Sequence, residues 1–104
     1  MPHIIVRGVP EQELRDLSPA FKQVFVSAAQ LNPDHLKIFY SPIRRVDQPE
    51  EVAVDVYWMP RPQELCDRVA RDVTSFWQER GKGFVQVTFT EFPGPHFYEN
   101  NQHF

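Results

Sequence analysis

The succession strand, helix, strand occurs twice in this chain of 104 residues. Strands are predicted where apolar and polar residues alternate, and helices where apolar residues recur every three or four positions. The predicted elements are strand 3–7, helix 11–30, strand 35–40, strand 52–59, helix 63–80 and strand 84–92. Because two parallel strands joined by a helix form a right-handed crossover, this pattern restricts the fold to two β-α-β units packed side by side.

The two halves also resemble each other in sequence. Gln12-Glu13-Leu14 recurs as Gln63-Glu64-Leu65, and each triplet opens a predicted helix a few residues after a strand. We therefore predict an α+β fold in which a four-stranded mixed sheet carries two helices on one face. The predicted organisation is a single domain at 1–104, with units at 2–40 and 52–92, a connection at 41–51 and a tail at 93–104.

Proline and glycine mark the ends of these elements. Ser18-Pro19 lies inside the first predicted helix, so this helix either kinks there or restarts with Ser18 as its N-cap. Asn32-Pro33-Asp34 is predicted to end the same helix. Gly81 and Gly83 are predicted to cap the second helix.

The alternation within the strands divides the sheet into two faces of different character. One face is apolar and would pack against both helices; its residues are Ile4, Val6, Leu36, Ile38, Val54, Val56, Val85, Val87 and Phe89. The other, here called the open face, is mixed; its residues are His3, Ile5, Arg7, Lys37, Phe39, Asp55, Tyr57, Gln86 and Thr88. A half-apolar sheet face without helices is usually covered by another subunit, so we predict an oligomer.

Composition argues against several classes of function. Lys and Arg number 11 against 14 Asp and Glu, a net charge of -3 that disfavours binding to nucleic-acid phosphates. The single cysteine, Cys66, excludes an internal disulfide, and the histidines lack metal-ligand spacing, so no metal is predicted. The sequence shows neither a leader nor an apolar run of about 20 residues, so we expect a cytoplasmic protein without membrane contact.

Short motifs at both ends and in the middle of the chain point to a family. The motifs are Met1-Pro2-His3, then Tyr57-Trp58, Arg61 and Gln63-Glu64, and finally Tyr98-Glu99-Asn100 with His103-Phe104. Together with the two β-α-β units, they resemble the tautomerase superfamily, and most closely a bacterial branch of it. The resemblance implies a homotrimer, an amino-terminal catalytic proline, a small-molecule substrate, no metal and no cofactor.

By this resemblance, Pro2 is the candidate catalytic residue. Removal of Met1 would leave Pro2 with a free secondary amine. Oxalocrotonate-type members carry a basic residue on the second strand shortly after a helix-ending proline, and Lys37 holds a similar place after Pro33. Members of the macrophage-inhibitory-factor type carry a lysine immediately before that proline, where this chain has Asn32.

The remaining candidate residues would bind a small carbonyl compound, one that carries a carboxylate, beside Pro2. Apolar burial and nearby cations both lower the pKa of an amine, which would let Pro2 act as a general base near neutral pH. A neutral Pro2 suits keto-enol or double-bond isomerisation, whereas a charged prolinium suits hydration or dehalogenation. The predicted substrate-binding residues are Lys37, Arg61, Tyr57, Trp58, Phe97, Tyr98 and His103, with Arg7 as a further candidate cation.

Two other interpretations fit the same sequence. One is a tautomerase-fold trimer without turnover that binds a small ligand or a protein. The other is an unrelated ferredoxin-like interaction module, which shares the order of strands and helices. Single residues also have structural interpretations: Lys37 could pair with Asp55 across an interface, Arg44 and Arg45 could be solvated, and Cys66 could pack beside the second helix's apolar stripe.

Overall fold

The computed structural model describes residues 2–48 and 51–103. It contains the six predicted elements in the predicted order, together with a short hairpin in the tail. The helices and strands are β1 (His3–Arg7), α1 (Glu11–Ala29), β2 (Lys37–Tyr40), β3 (Val52–Trp58), α2 (Gln63–Gln78), β4 (Val85–Glu91), β5 (Tyr98–Glu99) and β6 (Gln102–His103). The second strand starts later than predicted because Pro33–His35 first forms a 3-10 turn.

The first four strands form one sheet in the order β2-β1-β3-β4. β1 is parallel to β2 and β3 is parallel to β4, whereas the two central strands, β1 and β3, are antiparallel. Each β-α-β unit therefore contributes one central and one outer strand, as two crossovers placed side by side require. The predicted α+β class, with a four-stranded mixed sheet and two helices, is confirmed.

The apolar face of the sheet packs against α1 and α2 and forms the core. Ile4, Val6, Val54 and Val56 are fully buried at its centre. Each such side chain stabilises the fold by about 1.5–3 kcal/mol relative to an exposed position. The other residues predicted for this face are also buried or pack against the buried cluster: Leu36, Ile38, Val85, Val87 and Phe89.

Helix α1 continues through Pro19 as one helix, so one of the two predicted alternatives, a restart with Ser18 as N-cap, is wrong. Proline lacks the backbone N–H that would bond to the carbonyl four residues earlier, which here belongs to Arg15. The Ser18 hydroxyl donates to this Arg15 carbonyl oxygen over 3.0 Å. The side chain before the proline thus satisfies the acceptor that the proline leaves open.

A left-handed glycine ends α2. Gly81 has a φ of +85°, and its N–H donates to the Gln78 carbonyl oxygen over 3.1 Å. The Lys82 N–H donates to the Trp77 carbonyl oxygen over the same distance. These two hydrogen bonds form a Schellman motif, which favours glycine at the left-handed position. The predicted cap at Gly81 is confirmed, whereas Gly83 takes no part in these two hydrogen bonds.

Candidate active site

Pro2 lies at the end of the sheet where β1 and β2 begin and where β3 and β4 finish. In the strand register, His3 pairs with Lys37 on β2 and with Tyr57 on β3. One residue earlier, Pro2 therefore lies opposite Trp58, and its carbonyl oxygen accepts a hydrogen bond from the Lys37 N–H over 3.1 Å. Pro2 is buried. We call these five residues and their surroundings the Pro2 end.

An aromatic ring and a cation lie together on the helix side of the Pro2 end. Trp58 is fully buried and stacks on Phe89 with ring centroids 5.1 Å apart. The guanidinium carbon of Arg61 lies 5.4 Å from the Trp58 ring centroid, within cation–π range. The Arg61 backbone N–H donates to Glu91 Oε2 over 3.1 Å. Within the described residues no carboxylate forms an ion pair with the Arg61 guanidinium, although the Glu91 carboxylate lies beside the Arg61 backbone.

Lys37 lies on the open face and pairs with a carboxylate of the tail. Its Nζ is 3.3 Å from Glu99 Oε2, and the two side chains are 51% and 44% exposed. Asp55, the partner considered for Lys37 from the sequence, pairs within this chain with Arg7 over 3.3 Å. Glu99 therefore occupies one side of the Lys37 ammonium.

The tail folds into a hairpin that the sequence interpretation missed. Strands β5 and β6 pair on either side of Asn100 and Asn101, whose φ angles are 50° and 66°. Two consecutive left-handed residues are typical of a type I′ turn, and asparagine adopts this conformation more readily than most residues. The rings of Tyr98 and His103 pack with centroids 4.6 Å apart. The Asn-Asn pair was the available signal, and the hairpin carries Glu99 to the open face.

His3 belongs to the Pro2 end, although the sequence did not single it out as functional. Its ring meets those of Phe39 and Phe97 edge-on, with centroids 5.4 and 5.8 Å apart. Its Nε2 is buried and has no hydrogen-bond partner among the described residues. Burial and, after it, the charge of Lys37 lower the pKa of His3 from 6.5, which favours the neutral imidazole. The ring therefore brings an unsatisfied polar atom next to Pro2.

The structure brings the predicted site residues together at the Pro2 end, with one exception. Those at this end are Pro2, Lys37, Tyr57, Trp58, Arg61, Phe97, Tyr98 and His103. Arg7, the further candidate cation, ends β1. At about 3.3 Å per residue it lies about 16 Å along the strand from Pro2. Within one chain Arg7 therefore does not lie beside Pro2, and the suggestion that it acts there is wrong.

A cleft of about 230 Å³ lies at the opposite end of the open face. We call it the Arg7 end; its lining includes Arg7, Arg44, Arg45, Ala53 and Gln86. Two of its cations form ion pairs: Arg7 with Asp55, and Arg45 with both Asp47 and Glu51 over 2.6 and 3.2 Å. Arg45 is exposed, as considered from the sequence, and it also forms these ion pairs.

The other residues considered from the sequence are explained by packing. Cys66 is buried, and burial raises the pKa of its thiol, which makes it a poor nucleophile at neutral pH.

In residues 2–48 and 51–103, no group of three or more His, Cys, Asp or Glu side chains is arranged to hold a metal ion. Across the same ranges, no helix combines the length and the hydropathy needed to cross a bilayer.

Comparison with known proteins assigns the chain to a family. The family described as "Domain of unknown function (DUF1904)" matches residues 1–103. The crystal structure of a DUF1904 domain from Sebaldella termitidis is 27% identical to this chain over 100% of both chains, with a TM-score of 0.86. No curated protein matches the sequence.

Proteins of the tautomerase superfamily share the fold at lower identity. A macrophage migration inhibitory factor-like protein from Entamoeba histolytica is 10% identical over 99% of this chain and 98% of its own, with a TM-score of 0.81. A fused 4-OT, solved as an asymmetric trimer, is 9% identical over 97% of this chain and 94% of its own, also with a TM-score of 0.81. The chain therefore belongs to the DUF1904 family and has the fold of the tautomerase superfamily.

Proposed function

We propose that this protein is a cofactor-independent tautomerase or isomerase in which Pro2 acts as general acid and base on a small carbonyl compound that carries a carboxylate. The observation that carries the proposal is the burial of Pro2 at the end of the sheet where Lys37, Trp58 and Arg61 gather. The likeness of the fold to 4-OT supports the same reaction class.

The chemistry requires a free amine at Pro2, which removal of the initiator methionine supplies. Burial beside Trp58 and the positive charge of Arg61 both disfavour the protonated amine and so lower its pKa. The neutral nitrogen takes a proton from the carbon next to the carbonyl, and the electrons of that C–H bond move into an enolate. A Lys37 N–H not engaged by Glu99 donates to the enolate oxygen. Pro2 then returns the proton to oxygen or to another carbon.

The remaining side chains of the Pro2 end would hold the substrate during this transfer. Arg61 is the partner for the substrate carboxylate, because its guanidinium is not engaged by another carboxylate of the described chain. The aromatic walls are Tyr57, Trp58, Phe97 and Tyr98, and His103 packs behind Tyr98. Apolar walls exclude water and so strengthen the electrostatic contacts of the bound compound.

We further propose that three copies assemble through their open faces. This face bears large apolar groups that one chain leaves uncovered; Phe39, for example, is 44% exposed. The fused 4-OT of the same fold is a trimer, which favours this assembly over other oligomers. Analytical ultracentrifugation should give three times the chain mass, and a monomer at micromolar concentration would contradict it.

A second candidate function is a trimer of the same fold that binds a ligand or protein without turnover. The observation that favours it is the position of the tail. Glu99 engages Lys37, and Phe97 packs on His3, so the chain itself occupies part of the Pro2 end. Turnover that depends on Pro2 distinguishes the two functions.

The test compares ketonisation of phenylenolpyruvate by the wild-type protein, Pro2→Ala and Pro10→Ala, after mass spectrometry has shown that Met1 is absent. Pro2→Ala should lose about a hundredfold or more in rate, the usual contribution of a general acid or base. Pro10 is exposed, and its carbonyl oxygen keeps the Leu14 N–H hydrogen bond in the alanine variant, so this control should match wild type. Equal rates in all three proteins, or retained Met1, would exclude the Pro2 mechanism.

Nitrogen-15 NMR titration of the Pro2 amine decides its charge. A pKa below that of an ordinary prolyl amine is expected, and it would identify Pro2 as the base. An unshifted pKa would instead indicate a prolinium, which does not fit the proposed proton abstraction.

A further inference from the structure

The two cations of the Pro2 end differ in whether their charge is already balanced. Lys37 Nζ is 3.3 Å from Glu99 Oε2, so its charge is offset by the tail. Arg61 offers only its backbone N–H to Glu91, and its guanidinium lies against the face of Trp58. The Pro2 end therefore presents one cation without a carboxylate partner among the described residues.

Glu99 is held in place by the fold of the tail. The turn at Asn100 and Asn101 joins β5 to β6, and the rings of Tyr98 and His103 pack across the two strands. Two residues before Glu99, Phe97 packs against His3 with ring centroids 5.8 Å apart. The carboxylate beside Lys37 is thus presented by a preformed hairpin.

We propose that Glu99 makes the Pro2 end selective for carbonyl compounds with one carboxylate over those with two. A monocarboxylate can pair with Arg61 and leave the Lys37–Glu99 contact intact. Lys37 is the other cation of the Pro2 end, and a second carboxylate that approaches it meets the like charge of Glu99. This inference rests on the proposed function for the location of the site, and Glu99 acts as a specificity-determining residue within it.

The Lys37–Glu99 pair leaves Lys37 able to take part in the reaction. An ammonium has three N–H donors, and Glu99 engages one of them. The other donors can meet the carbonyl oxygen of the substrate, which carries a full negative charge only as the enolate forms. Lys37 and Arg61 therefore have different roles: Lys37 binds the reacting oxygen and Arg61 binds the carboxylate.

The test uses a matched pair of five-carbon acids, 2-oxopentanoate with one carboxylate and 2-oxoglutarate with two. Their dissociation constants are measured by NMR titration of the full chain, for which no turnover is needed. Wild type should bind 2-oxopentanoate at least tenfold more tightly. Glu99→Gln should improve 2-oxoglutarate binding at least fivefold and change 2-oxopentanoate binding less than twofold.

Two further variants show whether binding depends on the charge beside Lys37 or on the net charge of the protein. Glu79→Gln removes the same charge from an exposed residue at the end of α2 and should leave both constants unchanged. Lys37→Gln leaves Glu99 without its cation and should weaken 2-oxoglutarate binding further. Its backbone N–H bond to Pro2 remains, so the strand register is kept.

Three outcomes would overturn the inference. They are equal effects of Glu99→Gln and Glu79→Gln, an unchanged preference in Glu99→Gln, and failure of wild type to bind either acid. The proposed function is decided separately by the Pro2→Ala rate. If turnover depends on Pro2 but binding shows no preference for one carboxylate, only the proposed role of Glu99 is refuted. If binding shows that preference but turnover does not depend on Pro2, only the proposed enzymatic function is refuted.

Discussion

The two ends of the open face are built alike and differ in their charges. At the Pro2 end, one row across the strands consists of Lys37, His3 and Tyr57. At the Arg7 end, the corresponding row across the strands consists of Gln86, Ala53 and Arg7. Both rows share one face, since side chains alternate along each strand and these positions are an even number of residues apart.

The Arg7 end contains a cleft of about 230 Å³ and three arginines, of which the chain itself pairs Arg7 and Arg45 with carboxylates. Arg7 pairs with Asp55, and a hydrogen bond from Arg45 lowers the pKa of Asp47. At the Pro2 end, Arg61 has no such partner among the described residues. The two ends therefore differ in whether their arginines pair with carboxylates of the described chain, and the proposed site is the end where Arg61 does not.

The change expected to affect the molecule most is a substitution at the Arg7 end. It tests whether the structure of the Arg7 end can be weakened without changing binding at the Pro2 end. Gly8 has a φ of +86°, and a Cβ there would overlap the carbonyl oxygen of Glu51. We expect Gly8→Ala to lower the free energy of unfolding by about 2–4 kcal/mol, from left-handed strain and overpacking together. Urea unfolding measures this change.

The control for Gly8→Ala is Gly83→Ala, because a Cβ at Gly83 meets no atom within 4 Å. This control should change stability by less than about 1 kcal/mol. The folded fraction of Gly8→Ala should bind 2-oxopentanoate as wild type does. A loss of binding in that fraction would show that the two ends are coupled.

Next in size is the contrast between the two arginines. Arg61→Gln should weaken 2-oxopentanoate binding about tenfold to a hundredfold, since a hydrogen bond to a charged group contributes about 1.5–3 kcal/mol. Arg45→Gln, which removes an arginine already paired with Asp47 and Glu51, should leave binding within about twofold. Isothermal titration calorimetry measures both. A larger loss in Arg45→Gln would move the candidate site to the Arg7 end.

The smallest effect concerns pH. The pKa of His3 is below 6.5 in the folded chain because of burial and the charge of Lys37, so the unfolded chain binds more protons as the pH falls below 6.5. Stability should therefore be highest above pH 6.5 and fall as the pH is lowered through and below that value. His3→Phe should flatten this slope, because a phenylalanine does not titrate.

Urea midpoints between pH 7.5 and 5.0 measure the slope. His96→Gln is the control, since His96 is exposed in the turn at the start of the tail. A slope unchanged by His3→Phe would mean that other groups cause it. At the Arg7 end the corresponding residue is Ala53, which cannot contribute to the slope.

The fold was predictable because the periodicity of a strand or helix and the handedness of a crossover both depend on residues that are close together in the sequence. The alternation in β1 and β3 indicated which side chains face the helices, and Ile4 and Val56 are fully buried as expected. Ser18 is not an N-cap, which was one of two alternatives; its hydroxyl instead bonds to the Arg15 carbonyl that a continuous helix provides.

The candidate site was predictable only in part. Pro2 and Trp58 meet because of the strand register, which follows from the topology. The Lys37–Glu99 contact joins residues 62 positions apart through a hairpin with short strands, and no periodic pattern encodes it. The environment of His3 likewise depends on where Phe97 of the tail comes to rest. Periodicity in the sequence therefore predicts the strands and helices but not the contacts that the tail makes with them.

The two buried tryptophans give the molecule built-in optical probes of two separate regions. Trp58 lies beside the Arg61 guanidinium, whereas Trp77 packs on Phe21 in the core between the helices, with ring centroids 5.2 Å apart. A carboxylate that pairs with Arg61 changes the electric field at the Trp58 indole and leaves Trp77 in the same surroundings. If a carboxylate binds Arg61 as proposed, occupancy of the Pro2 end would be readable as a change in fluorescence from one indole, with the other as an internal reference.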